Sequence, residues 1–367
     1  MSSPPGEITG LTAVEQRLAH GTPFGSHEFM STRVSRVYVQ LLSLLAETSS
    51  GARRLGELLH GLEPSRQQVV LRDSLLRRTI EDGTGTVVQG VDSIDPALLD
   101  DLLGAAAEAA ASDQVTLLAD PALSVVFAER VRGDGHVWLG SGGGSLAGAR
   151  FEDQVVRRLP RFGFHTPSEE QVEVLRAGNR LASLVAPDLA DSTVAHACVV
   201  VVGDFDGAEH LFSALTLPGL AGVIVLSPHA IRTDIDVAET LVHESTHLKF
   251  LDLDYISPLF VRGFRPERSP LVTPSWHEDD PVYGGWPVDR VLTSMHVYLT
   301  LCVFFGHAAA EVREGEWTAD YAVSRVEQCR TRAAWLFEAA HRHLEFLTPA
   351  GRDFVASIGE MLEELPD

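Results

Sequence analysis

Lysine is almost missing from this chain: Lys249 is the single one among 29 basic residues, and the others are arginine. A GC-rich coding sequence exchanges lysine for arginine wholesale, so the arginines need no special reading. The survivor is a hint, because a compact ammonium and a planar guanidinium are not interchangeable. Cysteine is scarce as well. Cys198, Cys302 and Cys329 form an odd set without CxxC spacing, which suggests neither a disulfide framework nor a thiolate zinc knuckle and agrees with a reducing compartment. Positive charge is in deficit, with 29 Lys plus Arg against 51 Asp plus Glu and a formal net charge of −22. Such a surface repels phosphate backbones, so nucleic acid is not an expected partner. The opening MSSPPGEITG lacks the basic stretch and apolar run of a secretory signal. The longest apolar runs, at 198–202 and 220–226, are too short to span a bilayer. The expectation is a soluble cytoplasmic protein with no membrane partner.

What is present is ordinary globular material: 367 residues, 45% hydrophobic and 22% charged. That length buries a sizeable core and excludes disorder for the bulk of the chain. From 11 to about 111 the pattern is helical. Val34, Val37, Tyr38, Leu41, Leu44 and Leu45 recur at three- and four-residue steps, with Ser31 or Thr32 available as a cap. The stretch 53–80 reads similarly, interrupted by Gly61 and Pro64, and Pro96 opens another helix ahead of 98–111. Strand candidates follow at 115–118 and 123–127, then a hairpin over 130–139 that turns at Gly133-Asp134-Gly135. The SGGGS loop at 141–145 lacks P-loop spacing. An amphipathic helix covers 169–185, and apolar strands at 198–202 and 222–227 flank an acidic loop, Asp204-Phe205-Asp206. Helices return at 236–251, from Pro287 or Asp289 to about 312, at 318–347 and at 351–365. The pattern predicts an α+β, predominantly helical protein. A helical N-terminal region, 1–113, precedes a mixed α/β region, 114–367, with a small sheet and a helical metal-binding C-terminal part. The intervening loop, 254–286, is rich in Pro, Gly and charge, and loops of that length commonly serve a site.

The strongest chemical signal is His243-Glu244-Ser245-Thr246-His247, an HExxH motif inside one of those helices. Residues four apart share a helix face, so both imidazoles reach one ion while Glu244 lies beside it. The third ligand is less fixed. A metzincin pattern is excluded because Phe250 and Leu253 stand where it needs glycine and histidine or their equivalents. Glu267 sits at a thermolysin-like offset, but Pro266 and Pro270 argue against the required helix. His296, His277 and His307 are the histidine candidates, His296 on a largely apolar helix where a lone histidine is usually a core residue. Three histidines with open positions suit catalytic zinc or non-haem iron. His341-Arg342-His343 and the acidic tail 360–367 read as solvated helix surface.

The run Leu241-Val242-His243-Glu244-Ser245-Thr246-His247-Leu248-Lys249 resembles the signature of the HExxH-motif peptide-modification proteins. Members of that family accompany ribosomally made peptides and are regarded as 2-oxoglutarate-dependent iron peptide β-hydroxylases. Trp276-His277-Glu278-Asp279, Arg290 through His296-Val297-Tyr298-Leu299, the apolar strand at 221–227 and an early helix with Ser35-Arg36 are similar too. Two positions depart from the pattern: His277 stands where an arginine is expected, and Val297 where a glycine is.

The resemblance implies that His243, His247 and His296 hold Fe(II), with 2-oxoglutarate and O₂ in the remaining positions, and that a carbon of a precursor peptide is hydroxylated. It implies a cation for the far carboxylate of 2-oxoglutarate, with Arg290 and Lys249 as candidates and Trp276 and His277 close by. Lys249 reaches the cofactor only if its helix ends near Phe250; otherwise an ion pair with Asp252 or Asp254 is expected. Glu244 would orient a ligand or the substrate. The alternatives are a zinc peptidase or amidase with Glu244 as general base, and a family member that binds the precursor peptide without turnover.

Overall fold

The computed structural model describes residues 5–112, 125–128, 135–139, 145–205, 213–277, 285–310 and 319–366. The protein is α+β and predominantly helical, with one small mixed sheet. In chain order the helices are α1 (Pro5–His20), α2 (His27–Leu45), α3 (Ser50–His60), α4 (Pro64–Val70), α5 (Ser74–Gln89) and α6 (Pro96–Ala111). Then come β1 (Val125–Ala128), β2 (Gly135–Trp138), α7 (Leu146–Arg158), β3 (Phe162–Phe164), α8 (Glu169–Val185) and α9 (Pro187–Thr193). The strands β4 (Val199–Phe205), β5 (Ala214–Thr216) and β6 (Val223–Leu226) precede α10 (Asp234–Ile256), α11 (Val288–Ala310), α12 (Ala319–His341) and α13 (Pro349–Glu364).

Local chemistry sets many of these ends. Ser49 caps α3 by accepting from Ala52 N, Asp73 caps α5 through Leu76 N, and Asp95 ahead of Pro96 caps α6. The α2 helix starts earlier than its apolar pattern, at His27, so Ser31 and Thr32 lie inside it rather than at its cap.

Two compact units interleave along the chain. One comprises Met1–His27, Leu181–Val194 and Leu241–Asp367; the other comprises Glu28–Arg180 and Ala195–Thr240. None of these boundaries falls at 113/114. The second unit contains the sheet, in the order β1-β2-β4-β6-β5, with β3 pairing antiparallel to the far end of β4. The pairs β2/β4 and β4/β6 are parallel, while β1/β2 and β5/β6 are antiparallel. The expected hairpin over 130–139 is therefore different: 135–138 pairs with 125–128. The turn Gly133-Asp134, the candidate strand 115–118 and most of the SGGGS loop lie outside the described residues. Asp204 and Phe205 belong to β4 rather than to a loop; Asp206 also lies outside the described residues.

Val199 and Val201 pack with Trp138, Phe151, Val155 and Val225 on one face, and Val200, Val202, Ile224 and Leu226 are buried on the other. Burial on both faces is what near-continuous apolar parallel strands require. The start of α10 crosses α8 closely at Gly178, where a Cβ would stand 2.5 Å from Val237 Cγ1 and 2.9 Å from Asp234 O. A glycine is needed there because no side chain fits between the two helices.

The first unit is built around α11. By length and composition this helix could cross a membrane, with a mean hydropathy of 1.4 over its best window. The apolar runs in the sequence looked too short because His296 and Thr300 interrupt them; as a helix the stretch qualifies. However, 83% of that window is buried within the fold, which is the behaviour of a core helix. Phe24, Phe250 and Phe354 pack into one aromatic cluster in the same unit, with centroid distances of 5.2 Å for Phe24–Phe354 and 5.6 Å for Phe250–Phe354. All three cysteines are free thiols.

Candidate metal centre

The α10 helix opens at Thr233, whose Oγ1 accepts from Asp236 N at 3.1 Å, satisfying an end donor. Leu241, Val242 and Leu248 bury its apolar face. His243 and His247, one turn apart, therefore project together. Their Nε2 atoms stand 3.3 Å apart and their ring centroids 5.1 Å. Two imidazole nitrogens on a single ion, at bond lengths near 2.0–2.2 Å, are separated by about 2.8 to 3.6 Å as the angle between them opens from a right angle to tetrahedral. The pair has the spacing of a bidentate chelate.

Thr293 on α11 stands 2.9 Å, through Oγ1, from His247 Nδ1. When Nδ1–H donates to that hydroxyl, the Nε2 lone pair is left for a metal, which is how outer partners fix the tautomer of a ligating imidazole. Glu244 is buried, and its Oε1 lies 3.8 Å from His243 Nε2.

Electrostatics keep both rings neutral. Burial pushes the His243 pKa down to about 4, helped by the positive charge of Arg325. His247 lies well below its ordinary value, first through burial, then through His243 and Arg290. Solvent still reaches His243, whose side chain is 34% exposed, although protein packs densely around it. Neutral, reachable imidazoles are the form a metal takes up.

The other sequence candidates are distributed as follows. Arg290 is exposed at the start of α11, stacks over Trp286 at 4.6 Å and bears on His247 by charge. Trp276 and His277 occupy a 3₁₀ turn, Ser275–His277, and both rings neighbour Trp286, at 6.0 and 5.7 Å. Trp286 is fixed there by reciprocal backbone bonds with Val272 of 2.7 and 2.9 Å. The structure thus links Trp276, His277 and Arg290 through one indole.

His296 is not brought to the dyad. It is 1% exposed, with its ring 5.3 Å from Phe24 and 5.6 Å from Phe354. Among the described residues no group of three His, Cys, Asp or Glu comes together as a metal cluster. His307 faces Glu15 instead, with Nε2 3.0 Å from Oε2. Glu267 lies in a short 3₁₀ turn, Pro266–Arg268, as its prolines suggested.

Lys249 needs correction as a cofactor cation. The helix continues to Ile256, so a residue two past His247 points away from the dyad. Its Nζ is buried and donates to Leu18 O at 2.7 Å and Ser192 Oγ at 3.2 Å, not to Asp252 or Asp254. Burial pushes its pKa down to about 7.

Sequence reasoning missed Thr293, Arg325 and Arg332. Thr293 follows Arg290 by three on α11, a helical stripe that was there to be read. Arg325 and Arg332 carried no such signal. Arg332 lies over Trp276 at 5.1 Å and donates to Tyr298 OH at 3.0 Å, a contact only the tertiary fold creates. No family model matches the chain, and no curated protein matches it.

Proposed function

We propose that the protein is an Fe(II)- and 2-oxoglutarate-dependent β-hydroxylase of a ribosomally synthesised precursor peptide, acting in the cytoplasm. The observation that supports this reading is the His243–His247 pair, neutral, reachable and 3.3 Å apart at Nε2. The resemblance of 241–249 to peptide-modifying HExxH proteins turns a two-histidine chelate into this particular chemistry. Bound there with 2-oxoglutarate and O₂, iron supplies an oxidant able to hydroxylate an unactivated carbon.

The chain's own residues bind, orient and shield. Thr293 holds the His247 ring in the ligating tautomer. Arg290, stacked on Trp286, is the cation that would meet the far carboxylate of 2-oxoglutarate in a bidentate ion pair. Trp276 and His277 flank that indole. Glu244, buried beside His243, orients the ring or the substrate. With His296 packed between two phenylalanines, the two helical imidazoles carry the site.

The test is anaerobic addition of 2-oxoglutarate to Fe(II)-loaded protein. A weak visible charge-transfer band, and after air a candidate peptide heavier by one oxygen atom, are expected. Absence of the band in folded, iron-loaded protein ends the proposal. The placement of Glu244 favours one second reading, a zinc peptidase in which its carboxylate takes the proton of the attacking water. That reading predicts zinc, a shortened peptide and indifference to 2-oxoglutarate.

A further inference from the structure

In the second unit, α2, the end of α3 and the start of α4 enclose an open groove of about 410 Å³. It is apolar along Val39, Leu59 and Pro64, and polar at Arg36, Gln40 and His60. Its shape is fixed by two amides. Gln67 Nε2 donates to Leu59 O at 2.7 Å and Leu62 O at 3.2 Å, tying α4 to the end of α3. Gln68 Nε2 donates to Thr32 Oγ1 at 2.9 Å, tying α4 to α2. Arg36 supplies the charge. It is exposed, and among the described residues no carboxylate pairs with it. Its guanidinium places one positive charge at the wall of an apolar groove, local complementarity for a carboxylate against the chain's overall excess of acidic residues. Ser35-Arg36 is also a pair that the sequence singled out and the metal centre does not use; both residues line the groove.

We infer that this groove binds a short acidic and apolar stretch of a separate polypeptide. A carboxylate side chain docks on Arg36 through a charge-assisted bidentate contact. An adjacent apolar side chain lies against Val39, Leu59 and Pro64, and Gln40 is placed to bond the peptide backbone. The protein's own acidic tail is engaged elsewhere, since Glu360 and Glu364 of α13 pair with Arg17. The inference stands independently of the iron proposal. A free phosphate could also pair with Arg36, but it would make no use of the apolar wall.

The experiment is fluorescence anisotropy with the full-length protein, without added metal, and a fluorescein-labelled, end-capped heptapeptide of sequence Ala-Leu-Glu-Leu-Glu-Leu-Ala. Saturable binding is expected. Arg36→Glu, at an exposed position where folding is preserved, should weaken it by about tenfold or more, the loss of one charge-assisted bond. Val39→Asp and a peptide with glutamine in place of both glutamates should weaken it too, and the His60 imidazole signals should shift by NMR on titration. No saturable binding, equal affinity for Arg36→Glu, or complete displacement of the probe by inorganic phosphate at the peptide's own concentration would overturn the assignment. None of these outcomes bears on iron loading or on the charge-transfer band, so the two proposals fail separately.

Discussion

His247 on α10 and His296 on α11 each sit on a 23-residue helix among apolar neighbours, and in the sequence they look alike. Their surroundings differ in kind. The His247 ring has a hydroxyl on Nδ1, a second imidazole facing Nε2 and a guanidinium's charge nearby. The His296 ring meets the faces and edges of Phe24 and Phe354. Polar partners on one nitrogen and a facing lone pair on the other prepare an imidazole for a metal; aromatic faces use the ring as packing. An HExxH helix therefore makes its chelate from within itself, whereas a third ligand depends on how a separate helix is turned.

The largest expected effect tests the dyad directly. His243→Ala or His247→Ala should lower Fe(II) or Zn(II) affinity by more than about a hundredfold, beyond the loss that follows from removing an outer partner alone. Isothermal titration with metal-free protein measures it. Retention of wild-type affinity in either variant would mean that the facing nitrogens do not form the site.

A second comparison, between Lys249 and the arginines around the dyad, predicts a smaller effect on stability. With its folded-state pKa pushed from 10.5 to about 7, Lys249 binds fewer protons in the folded than in the unfolded chain between those values. Stability against unfolding therefore rises with pH from about 7 toward 10.5, and the cost of the buried ammonium is present in full below 7. Urea titrations of metal-free protein at intervals across that window should show a rise of several kcal/mol that Lys249→Met lacks. Parallel pH profiles for the two proteins would show that the ammonium is not desolvated as described.

The helical layout was largely legible because 3.6-residue periodicity and capping chemistry are local. The α8 range, Glu169–Val185, and the start of α6 at Pro96 follow from periodicity, Asp95 and the proline ring. The dyad was legible for the same reason: a four-residue spacing fixes a face. What escaped the sequence is whatever depends on neighbours far along the chain. The Lys249 partners, Leu18 and Ser192, are brought to it by α1 and α9, and no local pattern announces them. The interleaved units and the parallel pairing of 136–138 with 199–201 are long-range facts of the same sort.

The smallest expected effect is the sharpest test of the opening comparison. In His296→Phe the new ring has nearly the volume of the old one and enters a site already lined by Phe24 and Phe354. Volume-conserving changes in a packed core cost less than about 1.5 kcal/mol, whereas His296→Ala leaves a cavity worth about 2 to 4 kcal/mol. Packing therefore predicts that the phenylalanine variant keeps its denaturation midpoint close to wild type and its Fe(II) affinity unchanged, while the alanine variant loses stability. Ligation predicts that the phenylalanine variant loses Fe(II) affinity while keeping its stability, because phenylalanine removes the nitrogen and preserves the packing. A phenylalanine variant that folds with wild-type stability yet loses its iron would show that the His296 ring turns out of its aromatic box when the metal binds, and the site would then be completed from α11 after all.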